Sequence, residues 1–216
     1  MGGSARRQNE QAAARPETAT VAAREQPATQ ALVEGLQKAW DKSLPGTKSL
    51  EQGGILVAGP SGYEWKPGTT STSGTFSINY GDVGKDETLV ASAHTHPYSA
   101  AEGGHTDVPF SDADMANFVT GAERIKVVRS GTGVFLIAKS KEWDDAIKGA
   151  SAKDITDRKA AIRKCWNDAF AAASGKLPAR AQAAVAAVAK RFDLLYYTGT
   201  GATLTMPEDL RPAKAP

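Results

Sequence analysis

His94-Thr95-His96-Pro97 and, downstream, Ser111-Asp112-Ala113-Asp114 are the residues of this chain best suited to chemistry. All three histidines of the 216-residue sequence fall between positions 94 and 105. Imidazole and carboxylate ligands suit a borderline-soft ion such as zinc. Three protein ligands with an open fourth position make a catalytic zinc site, whereas structural sites close with four ligands, often thiolates. The chain has one cysteine, so a zinc site built from His94, His96 and Asp114 would be of the catalytic kind.

Two elements must bring those side chains together. The small, apolar run Leu89-Val90-Ala91-Ser92-Ala93 reads as a buried strand. Side chains at i and i+2 of a strand share a face, so His94 and His96 project together. Pro97 has no N–H for the ladder and ends the strand, leaving the imidazoles at a rim. Ser111 to Val119 reads as a helix start, and residues three apart share a helical face. Ser111 and Asp114 can therefore point at one place.

Each piece also has a plainer reading. Ser-x-x-Asp ahead of an apolar run is an ordinary helix cap worth about 1 kcal/mol. A His-x-His pair also occurs on surfaces without ligating anything. Cys165 shares a helical face with Ile162, Trp166, Ala169 and Phe170, the pattern of a core cysteine rather than a nucleophile. A zinc deaminase would need His-x-Glu and Pro-Cys-x-x-Cys, and neither is present. The phosphate-cradling glycine loops of nucleotide-binding folds are absent as well.

His-x-His-Pro followed by Ser-x-x-Asp resembles the signature of the JAMM (MPN-type) zinc metallopeptidases. That family also places a glutamate upstream, in Glu-x-x-Gly leading into an early strand. Glu51-Gln52-Gly53-Gly54-Ile55-Leu56-Val57 matches in order and context. The resemblance implies His94, His96 and Asp114 as zinc ligands. It implies Glu51 as the general base towards a zinc-activated water, and Ser111 as the group that stabilises the oxyanion. Without the resemblance, Glu51 reads as a solvated glutamate at a strand entrance. Thirteen residues separate Pro97 from Ser111, more than in the eukaryotic members. In this the chain is more similar to JAMM-like domains of bacterial toxins and effectors. The extra loop, 98–110, reads as a lid or substrate-binding element and offers His105 as a further ligand. The resemblance spans residues from about 50 to 139.

The expected activity is zinc-dependent hydrolysis of an amide or isopeptide bond. Its substrate would be a peptide, an isopeptide-linked protein or a cell-wall peptide. A toxin context would add a cognate immunity protein or parent-toxin domains as partners. Two other classes stay open: an inactive JAMM-like scaffold that binds a protein partner, and a metal-dependent nuclease.

At 41% hydrophobic, the chain can bury one good core. No apolar run is long enough to span a membrane. A single cysteine leans towards a reducing compartment, and the amino terminus lacks the apolar stretch of a secretion signal. The expectation is a cytoplasmic protein, or an effector exported without a classical signal. Residues 1–27 read as a disordered tail or linker, 28–206 as one catalytic domain, and 207–216 as a loose tail.

Within the domain, a helix starts at Thr29 with Leu32, Val33, Leu36 and Trp40 on one face and closes at Pro45-Gly46. Strands are expected at 53–59, 62–66, 74–80, 88–94, 125–130 and 133–139, with a hairpin turn at Gly131-Thr132-Gly133. Amphipathic helices at 154–173 and 179–192 form an added helical hairpin, and a last strand pair surrounds Gly199-Thr200-Gly201. The fold class is therefore α/β, a mixed sheet flanked by helices. The family resemblance implies JAMM/MPN-like, cytidine-deaminase-like layering, with zinc at one rim. Residues 154–192 carry eight Lys/Arg against three acids. No interleaved aromatics offer a stacking platform there, so this basic face reads as solvated rather than as a nucleic-acid surface.

Overall fold

A computed structural model of the chain describes residues 17–43, 49–68, 70–72, 75–200 and 203–205. The expected tail segments 1–16 and 207–216, and the helix stop at Pro45-Gly46, lie outside the described residues.

Helix α1 (Glu17–Lys42) begins at Glu17 rather than Thr29, so residues 17–27, expected as part of a disordered tail or linker, are helical. They have few large apolar residues, but Ala, Glu, Arg and Gln are good helix formers, and propensity extends a helix that packing has already anchored. The anchor is Leu36, 3% exposed, with Leu32 beside it.

Strands β1 (Gly53–Gly59) and β2 (Gly62–Pro67) form the first hairpin. The expected strand at 74–80 is shorter: β3 (Thr70–Thr72) and β4 (Thr75–Ser77) pair as a separate two-stranded ribbon, and a 3₁₀ turn covers Tyr80–Asp82. Asn79 ends the extended run because its side-chain oxygen accepts from the Gly81 N–H and caps that turn. Strand β5 (Thr88–Thr95), helix α2 (Asp112–Phe118) and strand β6 (Ile125–Ser130) form a parallel crossover unit. Strand β7 (Gly133–Lys139) follows through the expected glycine turn, where Gly131 adopts φ 65°. Then come α3 (Lys141–Ile147), α4 (Ala152–Ala172), α5 (Leu177–Arg191), β8 (Leu194–Thr200) and β9 (Thr203–Thr205).

The seven-stranded sheet runs β2-β1-β5-β6-β7-β8-β9. Only the β5–β6 pairing is parallel. This is an α/β fold with a mixed sheet flanked by helices. Strand alternation sorts the side chains into two cores. Ala93, Val127 and Val134 face α1 with Leu36. Val128, Phe135 and Ile137 face the other way, into the larger core with Met115, Phe118, Trp143, Ile162 and Val185. Cys165 belongs to that core and is free. His94 lies in register with Val128, and Val128 with Phe135. The first histidine therefore emerges on the large-core face, at the end of its row. No helix among the described residues is long and apolar enough to cross a membrane.

Candidate metal centre

The end of β5 presents the histidines as the sequence predicts. His94 is within the strand, and His96 continues its ladder, donating its N–H to the Arg129 carbonyl at 2.8 Å. Both are buried, 5% and 6% exposed. Their rings meet edge to face, with the two Nε2 atoms 3.1 Å apart.

Asp114 arrives from the first turn of α2. Ser111 is the N-cap: its Oγ accepts from the Asp114 N–H at 3.1 Å, while Asp114 Oδ2 accepts from the Ser111 N–H at 3.0 Å and Oγ at 2.8 Å. This reciprocal capping box fixes the carboxylate. Asp114 Oδ1 lies 3.2 Å from His94 Nε2, and Oδ2 lies 3.3 Å from His96 Nε2. Among the described residues, His94, His96 and Asp114 have ligand atoms all within 4.8 Å of one another and could hold a metal ion.

The separations fit such an ion. Ligands about 2.0–2.1 Å from a tetrahedral zinc lie about 3.3 Å from each other. The three contacts here run from 3.1 to 3.3 Å, with His94 facing Oδ1 and His96 facing Oδ2 of the one carboxylate. A single ligand atom from each residue falls within 4.8 Å of the others. Two unprotonated nitrogens facing each other this closely repel unless a proton or a cation lies between them. Burial pushes the His94 pKa down. Burial also opposes charge on His96, but the Asp114 hydrogen bond and the Asp114 and Glu51 charges outweigh it and raise its pKa. Burial likewise works against the Asp114 carboxylate, yet His94, His96 and Lys126 hold its pKa well below the usual range. A proton shared in this way is what a metal displaces on binding. His96 Nδ1 is buried, and the Val108 backbone favours the protonated ring.

Glu51 reaches the cluster from the entrance to β1, its Oε1 3.9 Å from His96 Nε2. The approach is tight. A Cβ on Gly53 would fall 2.2 Å from the Ala93 carbonyl oxygen and 2.8 Å from His94 Cα. Only glycine lets β1 lie against β5 there. Gln52 fixes the height: its carbonyl accepts from the Thr95 N–H at 2.8 Å, and its N–H donates to Thr95 Oγ1 at 3.0 Å. Burial raises the Glu51 pKa from the usual 4.5 to about 7, with the Asp114 and Glu102 charges adding to it and the His96 and Lys126 charges opposing.

All four residues, with Ser111, open onto one cavity of about 390 Å³. Phe76, Ile78, Pro97 and Tyr98 supply an apolar side, and Glu102 and Lys126 add charge. The 98–110 loop forms part of this wall: Tyr98 meets His96 edge to face, and His105 meets Tyr98 edge to face. His105 is not among the residues whose ligand atoms converge, and its Nε2 lies against Gly103. Burial raises the Tyr98 pKa to about 12, so its hydroxyl keeps its proton.

Lys126, Phe76, Ile78 and Asn117 line the cavity without having been singled out from the sequence, whereas Tyr98 belongs to the loop expected as a lid or substrate-binding element. Lys126 left one signal: a lysine within the apolar strand Ile125-Lys126-Val127-Val128, in the middle of the sheet. No family model matches the chain, and neither a curated protein nor a solved structure does so.

Proposed function

We propose that this protein is a zinc-dependent hydrolase of the JAMM type, cleaving an amide or isopeptide bond. The observation that carries the reading is the convergence of His94, His96 and Asp114 at 3.1 to 3.3 Å beside a largely buried glutamate. Zinc bound there would supply a Lewis acid that polarises the scissile carbonyl and lowers the pKa of water to near neutrality.

The chain's own residues do the rest. Glu51 accepts a proton from the attacking water and passes it to the leaving amine. A carboxyl whose pKa is about 7 is matched to both halves of that transfer. Ser111 holds Asp114 in place through two donors. It also lines the cavity, so its hydroxyl can turn from Asp114 towards the developing oxyanion. Phe76, Pro97 and Tyr98 exclude bulk water from one side of the reacting carbonyl.

The test is a metal analysis of purified protein followed by a cleavage panel of peptide, isopeptide-linked and cell-wall peptide substrates. One zinc per chain and a cleavage abolished by Glu51→Gln are expected. Zinc that stays bound with no hydrolysis of any amide would leave a scaffold instead.

A further inference from the structure

Lys126 is the second residue of β6, in register with Ser92 on one side and Ile137 on the other. It is 7% exposed, and what remains open faces the cavity, where it is the only lysine or arginine among the lining residues. A buried ammonium has three N–H donors to satisfy. Lys126 Nζ makes two long contacts, 3.5 Å to the Asp114 backbone carbonyl and 3.7 Å to Asp114 Oδ1. Lysines elsewhere pair more closely: Lys139 Nζ sits 2.6 Å from the Gly121 carbonyl, and Lys66 Nζ 2.5 Å from Glu87.

Asp114 cannot come nearer. Its Oδ2 is fixed by Ser111, and its Oδ1 is turned to His94. A metal ion on Asp114 would sharpen the imbalance by drawing the carboxylate's charge to itself. It would also set a dication within about 6 Å of the ammonium, and the two repel. An anion placed between them satisfies both. Glu51 and Glu102 line the same cavity, but Asp114 is the acid within 4.0 Å of Lys126 among the described residues. Glu51 shares the cavity and its charge reaches Lys126, but among the described residues it makes no ion pair with the ammonium, which leaves that place to an anion from outside the chain.

We propose that Lys126 recognises a carboxylate on the substrate, adjacent to the amide that is cleaved. This rests on the zinc-hydrolase reading and narrows it. The carboxylate would belong to a terminal residue or to an acidic side chain next to the scissile bond. Lys126 is a specificity residue here; it selects the leaving fragment by its charge.

Succinamate and succinamide are the probes, alike in shape, the first carrying one carboxylate beside its amide and the second none. Each is titrated calorimetrically into the zinc-loaded wild type, Lys126→Met and Lys126→Arg, with zinc content measured in all three. The wild type should bind succinamate about tenfold more tightly than succinamide. Lys126→Met should keep its zinc and lose that preference, and Lys126→Arg should retain it. A preference that survives in Lys126→Met, or is absent from the zinc-loaded wild type, overturns the assignment but not the hydrolase. Loss of zinc from Lys126→Met also overturns it, making Lys126 a support for Asp114. A wild type that holds no zinc removes the hydrolase reading and this assignment together. For turnover, free-acid peptides should outpace their carboxyl-terminal amides if a terminal carboxylate is read. Peptides with an internal acid should outpace their neutral counterparts if a side chain is. Equal rates across both pairs overturn the assignment.

Discussion

Glu51→Gln should stabilise the metal-free protein and inactivate the enzyme. Burial moves the Glu51 carboxyl from 4.5 to about 7. Its charged form is thus disfavoured in the fold by about 3 kcal/mol relative to the unfolded chain. The side chain is 16% exposed, and solvent reaching it trims this to about 2 kcal/mol. Between pH 4.5 and about 7 the folded state holds a proton that the unfolded chain has released. Stability therefore falls as pH rises through that window. Glutamine is neutral throughout. In the presence of chelator the variant should match wild type near pH 4 and exceed it by about 2 kcal/mol near pH 8.

Urea unfolding at the two pH values, with the slope unchanged, measures the difference. Zinc should shrink the gain, because a dication beside Glu51 favours its ionised form. Turnover should drop about a hundred- to ten-thousand-fold, since the amide cannot accept the water's proton. A stability gain independent of pH would refute desolvation as the origin of the shift. Activity within a few-fold of wild type would refute Glu51 as the base.

Asp114→Ala removes a ligand together with one arm of the capping box. Zinc should fall to background in micromolar chelator, and the metal-free protein should lose about 3 kcal/mol by urea unfolding, because the buried Lys126 and His96 lose their carboxylate along with the cap. Ser111→Ala should cost less, about 1 kcal/mol, restored by Ser111→Thr, whose hydroxyl can still cap α2. His105→Ala should leave the zinc stoichiometry unchanged by elemental analysis, because its ring rests on Tyr98 and Gly103 rather than on the ligands. Metal lost from that variant would make His105 a ligand.

Where glycine or proline punctuated an apolar run, the sequence was legible almost to the residue. β1, β6 and β7 keep the expected bounds because Gly59, Gly131 and Gly133 mark their turns. His94 and His96 were legible because strand alternation puts both on one face whatever the rest of the fold does. Helix α3 was not, since Trp143 is the one buried residue in its span and a single anchor shows no period. The ribbon of β3 and β4 is too short to declare itself, yet it carries Phe76 to the cavity. Lys126 was missed for a related reason. Its strand is read from its apolar neighbours, and only pairing β6 to β5 in parallel places the ammonium beside Asp114.

Ser111-x-x-Asp114 shows why a plain reading and a chemical one need not compete. As a cap, the motif satisfies two backbone N–H groups at the start of α2. The same bonds deny Asp114 the rotamer freedom it would otherwise lose on binding an ion. A ligand already fixed by the helix adds its full affinity, because the ordering happens when the chain folds. It follows that substitutions at Ser111 should act on both quantities at once. A variant that lowered metal affinity without lowering the stability of the metal-free fold would break this link, and the capping box would then be only a neighbour of the site.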